Sequence, residues 1–307
     1  MRVLLTGVGG PAGVSLARQL RRRGHWITGV DMREVPDAGV DLFRVVPAAA
    51  EPDYLPVLAR LVRTCRIDVV IPTVSEELVR VARGHGGLGA QVVIGSTESV
   101  STAADKYLTM RCLERHLVPV PWFGLPSGHR SPAAAVDAAD GSIVVKPRRS
   151  RGGRGVQVID PAAAELPETL AYWAGLDDRS IVQRFAPGLE YAPVLFRASD
   201  AGEPELCVVL EKTALREGRV GNAVAVRRPS ATGARVEAVA DVARRAVLAA
   251  GLTGPVDVDV RLDAAGAPLV LEVNARFGAN SAAAPELLDA VLAHVTPTGA
   301  GVAAGGA

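Results

Sequence analysis

From Arg2 to Ser96, short β-branched and leucine runs alternate with stretches of helical periodicity, and no other feature limits the fold so strongly. Val3 to Thr6 form a first apolar run, GVGGPAG follows, and VSLARQLRRRG repeats Val14, Ala17 and Leu20 at helical spacing before the run Trp26 to Val30 ends at Asp31. In PDYLPVLARLVRTC the residues Leu55, Leu58, Leu61 and Val62 share a helix face. IDVVIPT reads as a buried strand stopped by Pro72, SEELVRVARGHG as a helix with Ser75 as its N-cap, and QVVIGS as the next strand. Strands separated by helices in this way run parallel, and both faces of their sheet are covered.

The rhythm breaks between Pro119 and Pro132, where VPVPWFGLPSGHRSP places a domain boundary. Beyond it SIVVKPRRSRGGRGVQVI predicts a hairpin, two strands joined by a basic glycine-rich loop. IVQRF, YAPVLFRAS and ELCVVLEK read as strands, RVEAVADVARRAVLAAG as a helix, and GPVDVDVRLDAAGAPLVLEVN as a second hairpin. The tail TPTGAGVAAGGA has too little side-chain surface to pack and is expected to be disordered.

Composition narrows the function classes. In 307 residues with 49% hydrophobic content there is material for two or three cores. With 34 Lys and Arg against 33 Asp and Glu, the net charge of +1 gives no general attraction to nucleic acid or an anionic membrane. Cys65, Cys112 and Cys207 have neither paired nor metal-ligand spacing, so free, buried thiols in a reducing cytosol are expected. The opening MRVLLTGVGG is too short for a signal-peptide core, and no segment approaches about 18 uninterrupted apolar residues, which leaves a cytoplasmic location. Five histidines form no cluster, which removes support for a zinc site or a Ser-His-Asp hydrolase.

Three constellations carry chemistry. Gly7, Gly9, Gly10 and Gly13, with Asp31 ending the second strand, suit either a dinucleotide site or close packing of strand on helix. Lys146 at the end of a strand, followed by the loop Arg148 to Gly155, suits either a lid whose amides and cations close over a polyphosphate or an exposed basic hairpin. In the last hairpin Asp257 and Asp259 share one strand face, and Glu272 and Asn274 share one face of the returning strand. Carboxylates and an amide oxygen on neighbouring strands make an oxygen-rich cage for Mg²⁺, with Arg276 following at once as a cation for phosphates.

Taken together, DKYLTM at Asp105 to Met110, VVKPRRSRGGRGV at Val144 to Val156, IVQRFAPGLEY at Ile181 to Tyr191 and LEVNARFG at Leu271 to Gly278 resemble the ATP-grasp superfamily. The likeness is to its carbamoyl-phosphate-synthetase-like branch and the small amino-acid ligases related to it. The resemblance implies an α/β, Rossmann-like pre-ATP-grasp domain over residues 1–104. A small lid lobe with a linker helix follows over 105–185, then a C-terminal α+β lobe with the metal site over 186–295, and the tail over 296–307.

It further implies that Lys106 and Lys146 reach the phosphates of ATP and that Ser150, Arg151, Gly152, Gly153 and Gly155 close over them. Gln183, Arg184 and Phe185 match the hinge that reads adenine, and Glu190 matches the acid that holds the ribose. Where the family commonly has an acid, this chain has Arg184. Asp259, Glu272 and Asn274 match positions that hold Mg²⁺ or Mn²⁺, and Arg276 matches the arginine that stabilises the transferring phosphoryl group. Asp257 stands where related synthetases often have a neutral residue, and its role stays open between a supporting group and a substrate contact.

Lys212, Arg216, Arg219, Arg227 and Arg228 fall where similar ligases border the acceptor, and they read equally as substrate contacts or as surface charge. The implied function is ADP-forming, ATP-dependent ligation of a small-molecule carboxylate to an amine through an acyl phosphate, with Lys146 and Arg276 as catalytic groups. Neither nucleic acid nor membrane is implied as a partner, and a homodimer is the default assembly.

Two alternatives stand beside it. An NAD-dependent epimerase or reductase would need a tyrosine four residues before a lysine, and Tyr54, Tyr107, Tyr172 and Tyr191 have none. A nucleotide-binding subunit without turnover is the other.

Overall fold

The computed structural model describes residues 1–150, 152–215, 218–221, 223–230 and 233–296. Arg151, Arg216 and the tail from 297 onward, all assigned expectations above, lie outside these described residues.

The N-terminal unit comprises β1 (Arg2–Thr6), α1 (Pro11–Arg22), β2 (Trp26–Asp31), β3 (Leu42–Val45), α2 (Tyr54–Cys65), β4 (Val69–Ile71), α3 (Leu78–Gly84) and β5 (Gln91–Val92). Its strands are all parallel in the order β3-β2-β1-β4-β5. The period of two in β1 sorts its side chains between the covering helices. Val3 and Leu5 pack with Leu16 and Leu20 of α1, while Leu4 packs with Leu58 and Val62 of α2.

The early glycines bring the first helix close to the first strand. A Cβ on Gly13 would lie 2.2 Å from the Gly7 carbonyl oxygen, and Gly7 itself has φ +59°. Asp31 at the end of β2 accepts a hydrogen bond from the Gly9 amide at 3.1 Å and ties the turn to the second strand.

The helix expected to open at Ser75 begins at Leu78, with Glu77 at the N-cap position and no side-chain cap. The reason lies in Glu77, whose buried carboxylate turns inward and accepts from the amides of Thr73 and Val74 at 3.0 and 2.9 Å. The Glu77 amide, which a Ser75 cap would engage, bonds the Val74 carbonyl at 3.0 Å instead.

Next come α4 (Thr97–Ala103) and α5 (Lys106–Arg115), the latter capped by Asp105, which accepts from the amides of Tyr107 and Leu108. A smaller lobe follows with β6 (Phe123–Gly124), α6 (Pro132–Ala139), β7 (Ile143–Pro147), β8 (Gln157–Ile159), α7 (Pro167–Ala174) and β9 (Ser180–Arg184). Its antiparallel sheet has the order β6-β9-β7-β8 and contains the expected β7–β8 hairpin. Ile143, Val145, Ile159, Trp173 and Val182 form a core separate from the rest of the molecule.

The C-terminal lobe is built from β10 (Glu190–Tyr191), β11 (Val194–Arg197), β12 (Leu206–Val208), β13 (Glu211–Leu215), β14 (Ala223–Arg227), α8 (Ala234–Ala249), β15 (Gly254–Leu262), β16 (Pro268–Asn274) and α9 (Glu286–Ala293). The long β15 pairs with β16 along one edge and with β11 and β10 in succession along the other. Val256, Val258 and Val260 turn into a core shared with α8 and with Met110 and Leu113 of α5.

The helix that carries Lys106 is therefore packed on the large lobe. The N-terminal unit is joined to the same lobe, because Leu16 and Leu20 share a cluster with Phe196, Phe277 and Leu287. All three cysteines are free but only half-buried, less covered than expected. Among the described residues no helix is long and apolar enough to cross a membrane.

Candidate active site

A cleft of about 180 Å³ separates the inner face of the small lobe from the open face of β15 and β16. Strand alternation decides what faces it. Ile143 and Val145 of β7 go to the small-lobe core, leaving Val144 and Lys146 to line the cleft. On β15 the valines face the core, and Asp257, Asp259 and Arg261 face the cleft. Asp257 pairs across the strands with Asn274 and Asp259 with Glu272. A register shift between Asp259 and Val260 opposes an extra residue on β16, so adjacent Leu271 and Glu272 both reach the cleft.

The cations approach from two other elements. Lys106 at the start of α5 stands 3.3 Å from Glu272 and donates to the Ser150 carbonyl at 3.0 Å. Lys146 donates to the Leu271 carbonyl at 3.3 Å. Burial brings the Lys146 pKa down to about 8, opposed by the Glu272 carboxylate.

Arg276 leaves β16 with three of its donors engaged. Nε donates to Ser75 Oγ at 3.1 Å, Nη2 to Asn274 Oδ1 at 3.1 Å and Nη1 to the Phe277 carbonyl at 3.0 Å. Asp257 lies 3.9 Å from this guanidinium, and its Oδ2 presses against Gly278, where a Cβ would come within 1.5 Å. Burial, reinforced by the neighbouring Asp259 charge, pushes the Asp257 carboxyl up to about 7.

Lys212, left open above between substrate contact and surface charge, is buried and clamped between Glu190 at 2.5 Å and Asp259 at 2.6 Å. Burial alone would depress its pKa, but the two carboxylates outweigh that and hold it above the ordinary lysine value. Arg227 and Arg228 instead form outer ion pairs with Glu211 and Glu286. Arg219 bonds Asp160 of the small lobe at 2.8 Å and stacks over Phe185, whose ring also meets Arg261.

At the hinge the Arg184 side chain turns outward to Asp140, and the amides of Arg184 and Phe185 bond the carbonyls of Trp122 and Ser142, both at 2.8 Å. The Ala186 amide has no backbone acceptor among the described residues, so the next residue along is the better placed donor at the cleft. In the loop above, Gly152, Gly153 and Gly155 all take positive φ, at 66, 70 and 71°, a run that glycine adopts without strain. Arg148 does not face the cleft lining; it forms a two-pronged pair with Asp105 at 2.8 and 2.9 Å and ties the loop base to α5.

A family model described as the ATP-grasp domain matches residues 103–280, more than half of the chain and all of this cleft. The chain belongs to the ATP-grasp family. The D-alanine--D-alanine ligase of Gloeobacter violaceus is 30% identical to this ATP-grasp chain over 197 residues, 61% of this chain and 64% of that protein. The chain thus spans just under two thirds of that relative's length.

Among solved structures, the L-amino acid ligase of Bacillus licheniformis superposes with TM-score 0.67 at 19% identity, over 92% of this chain and 68% of that one. The N5-carboxyaminoimidazole synthetase of Staphylococcus aureus, complexed with ADP, gives TM-score 0.70 at 14% identity, over 96% and 77%. At such identities the likeness is one of fold.

Lys106, Lys146, Ser150, Gly152, Gly153, Gln183, Arg184, Phe185, Glu190, Asp259, Glu272, Asn274 and Arg276 all line the one cleft of this ATP-grasp chain. Gly155 sits at the loop base against Pro147. Sequence reasoning left out Arg261, Ala186 and Ser75. Arg261 stands on the same strand face as Asp257 and Asp259 and was open to the period-2 argument. Ser75 could not be found from spacing, because it comes from a different lobe.

Proposed function

We propose that this ATP-grasp chain is an ADP-forming ligase that activates a small carboxylic acid as an acyl phosphate and transfers the acyl group to an amine. The observation that carries the reading is the convergence, on one cleft, of Lys106 and Lys146 with Asp259, Glu272, Asn274 and Arg276. Two buried polar atoms lining the same cleft, Gln183 Nε2 and Asp257 Oδ1, have no hydrogen-bond partner among the described residues. Buried polar groups are normally satisfied, so a polar ligand in the cleft is their natural complement.

The donor set also fits a hard divalent cation. Asp259, Glu272 and Asn274 offer hard oxygens from paired strands. That suits Mg²⁺, which is commonly held by one or two carboxylates with substrate phosphates completing its shell. Bound there, it would neutralise charge on the phosphates.

The residues of the chain do the rest. One oxygen of the acid attacks the γ-phosphorus of ATP, a new P–O bond forms, and the bond to the bridging oxygen breaks to release ADP. Lys106, Lys146 and Arg276 offset charge on the moving phosphoryl group, and the glycine loop screens it from water. The amine nitrogen then attacks the acyl carbon, phosphate leaves, and the nitrogen gives up a proton.

A second cavity shares Lys106, Ser150, Glu272 and Asn274 with the cleft and is walled by Leu78, Val79 and Val100. Its apolar wall suits the body of the acid, whose carboxylate would meet the shared wall.

The test is ADP release from protein with Mg²⁺-ATP, screened across pools of carboxylic and amino acids, with Glu272→Ala as blank. Release that requires one acid and one amine, and falls roughly a hundredfold or more in the variant while its circular dichroism is unchanged, is the expected result. Undiminished release by Glu272→Ala would sink the reading.

A further inference from the structure

Arg276 is held from two sides. Asn274 and Phe277 are its own neighbours in sequence, but the Nε partner, Ser75 Oγ at 3.1 Å, belongs to the N-terminal unit 201 positions away. A guanidinium carries five N–H donors. Three meet Ser75, Asn274 and Phe277, which leaves one hydrogen on each terminal nitrogen for a pair of phosphoryl oxygens.

The turn that presents Ser75 is built with unusual firmness. Glu77 is 1% exposed, and its carboxylate accepts from Thr6 Oγ1 at 2.5 Å, from the amides of Thr73 and Val74, and from the Tyr54 hydroxyl. Thr73 Oγ1 in turn donates to the Thr6 carbonyl at 2.8 Å. These bonds lock the turn after β4 to the end of β1 and the start of α2. Among the described residues no Lys or Arg bonds this carboxylate, and a buried carboxylate is costly unless fully hydrogen-bonded. A plain helix start with Ser75 as its cap would need none of this. The arrangement instead frees the Ser75 hydroxyl and fixes where it points.

We propose that Ser75, its turn fixed by Glu77, is a positioning residue for Arg276, so that the N-terminal unit acts directly on phosphoryl transfer. The inference rests on the ligase reading, in which Arg276 meets the moving phosphoryl group. Ser75 accepts the Nε proton and sets the plane of the guanidinium. Without it, Asn274 and Phe277 still anchor the group, but rotation is less restricted and the two remaining donors lose their aim.

The experiment compares wild type, Ser75→Ala, Ser75→Thr and Glu77→Gln in the ADP-release assay, each alone and the alanine variant also on an Arg276→Lys background. It is paired with ¹H–¹⁵N spectra of the arginine side chains. The expected result is a tenfold or greater fall in kcat for Ser75→Ala with the KM for ATP within twofold, and recovery of most of that loss in Ser75→Thr. The loss should vanish on the Arg276→Lys background. The Arg276 Nε–H signal should exchange slowly with water in wild type and rapidly in Ser75→Ala.

Equal kcat for wild type and Ser75→Ala, or the same loss persisting on the Arg276→Lys background, overturns the proposal. If Ser75→Ala is unstable, Glu77→Gln decides: its kcat must fall while the KM for ATP holds. If wild type releases no ADP from any pool, the ligase reading fails, and the Nε–H exchange alone judges whether Ser75 holds Arg276.

Discussion

Lys146 sits on a rigid strand beneath the glycine loop, and its ammonium is disfavoured by burial, with a pKa of about 8. Phosphates favour the charged form, so ATP binding should take up a proton above that value and weaken as pH rises through it. Between pH 7 and pH 9 the Kd for ATP is expected to rise by up to about tenfold, which titration calorimetry in two buffers of different ionisation heat would measure. Asp257, at about 7, gains negative charge over the same range and adds to the trend. Lys146→Arg keeps its charge throughout, so its Kd should lose the part of the slope between pH 8 and 9. An unchanged slope in that variant would assign the effect elsewhere.

At the scale of elements, Asp105 joins two pieces that the cleft needs in register. It caps α5, whose first residue is Lys106, and it grips Arg148 at the base of the glycine loop. Burial would raise its pKa, yet the Arg148 guanidinium holds it below the usual aspartate range. The stabilisation is therefore complete above that range and fades only as the pH falls through the depressed value. Asp105→Ala should lose about 1 kcal/mol for the cap and more for the stranded Arg148, on the order of 2 kcal/mol together. A denaturant melt at pH 7 would show it, and the difference from wild type should shrink in acid.

Elements of this kind were only partly readable from the chain. The period-2 pattern puts Asp257 with Asp259, and Glu272 with Asn274, on shared strand faces directly, because alternation is a local property. The start of α3 was misplaced because Glu77 answers to Thr6 and Tyr54, partners 71 and 23 residues away, which no local pattern contains. The bulge at Leu271 is likewise settled by pairing across strands, and the outward turn of Arg184 by Asp140 at the end of α6, 44 positions away.

Over the whole molecule the packing is uneven. The N-terminal unit and the C-terminal lobe share one hydrophobic cluster, while the small lobe keeps a core of its own and reaches the large-lobe core through Ile181 and Phe123. A motion of the small lobe would therefore pivot at the hinge beside Phe185 and would have to loosen Ile181 from the large-lobe core, Arg148 from Asp105 and Arg219 from Asp160. Trp122 and Trp173 both belong to it, and the third tryptophan, Trp26, lies far off on β2. ATP should alter the tryptophan fluorescence of a Trp26→Phe variant by about as much as that of wild type, and a signal lost with Trp26 would place the motion elsewhere. The break in the alternation of strands and helices between Pro119 and Pro132 marks a boundary in the sequence and the lobes follow from the resemblance, but the shared core does not show, since hydrophobic residues do not declare which neighbour they will meet.

One contact seen in the cleft bears on how it fills. Lys212 holds Glu190 and Asp259 together, so the acidic side of the site already carries its own cation, tethered to β13. On the ligase reading such a site would behave as an ion exchanger. An arriving cation must dislodge the resident ammonium, and an ammonium set loose inside a buried cleft needs a new anion at once. The polyphosphate tail of a nucleotide is that anion. On the ligase reading, metal and nucleotide would then enter together as a chelate, the metal replacing the Lys212 ammonium beside Asp259 and the phosphates meeting the cations that line the cleft.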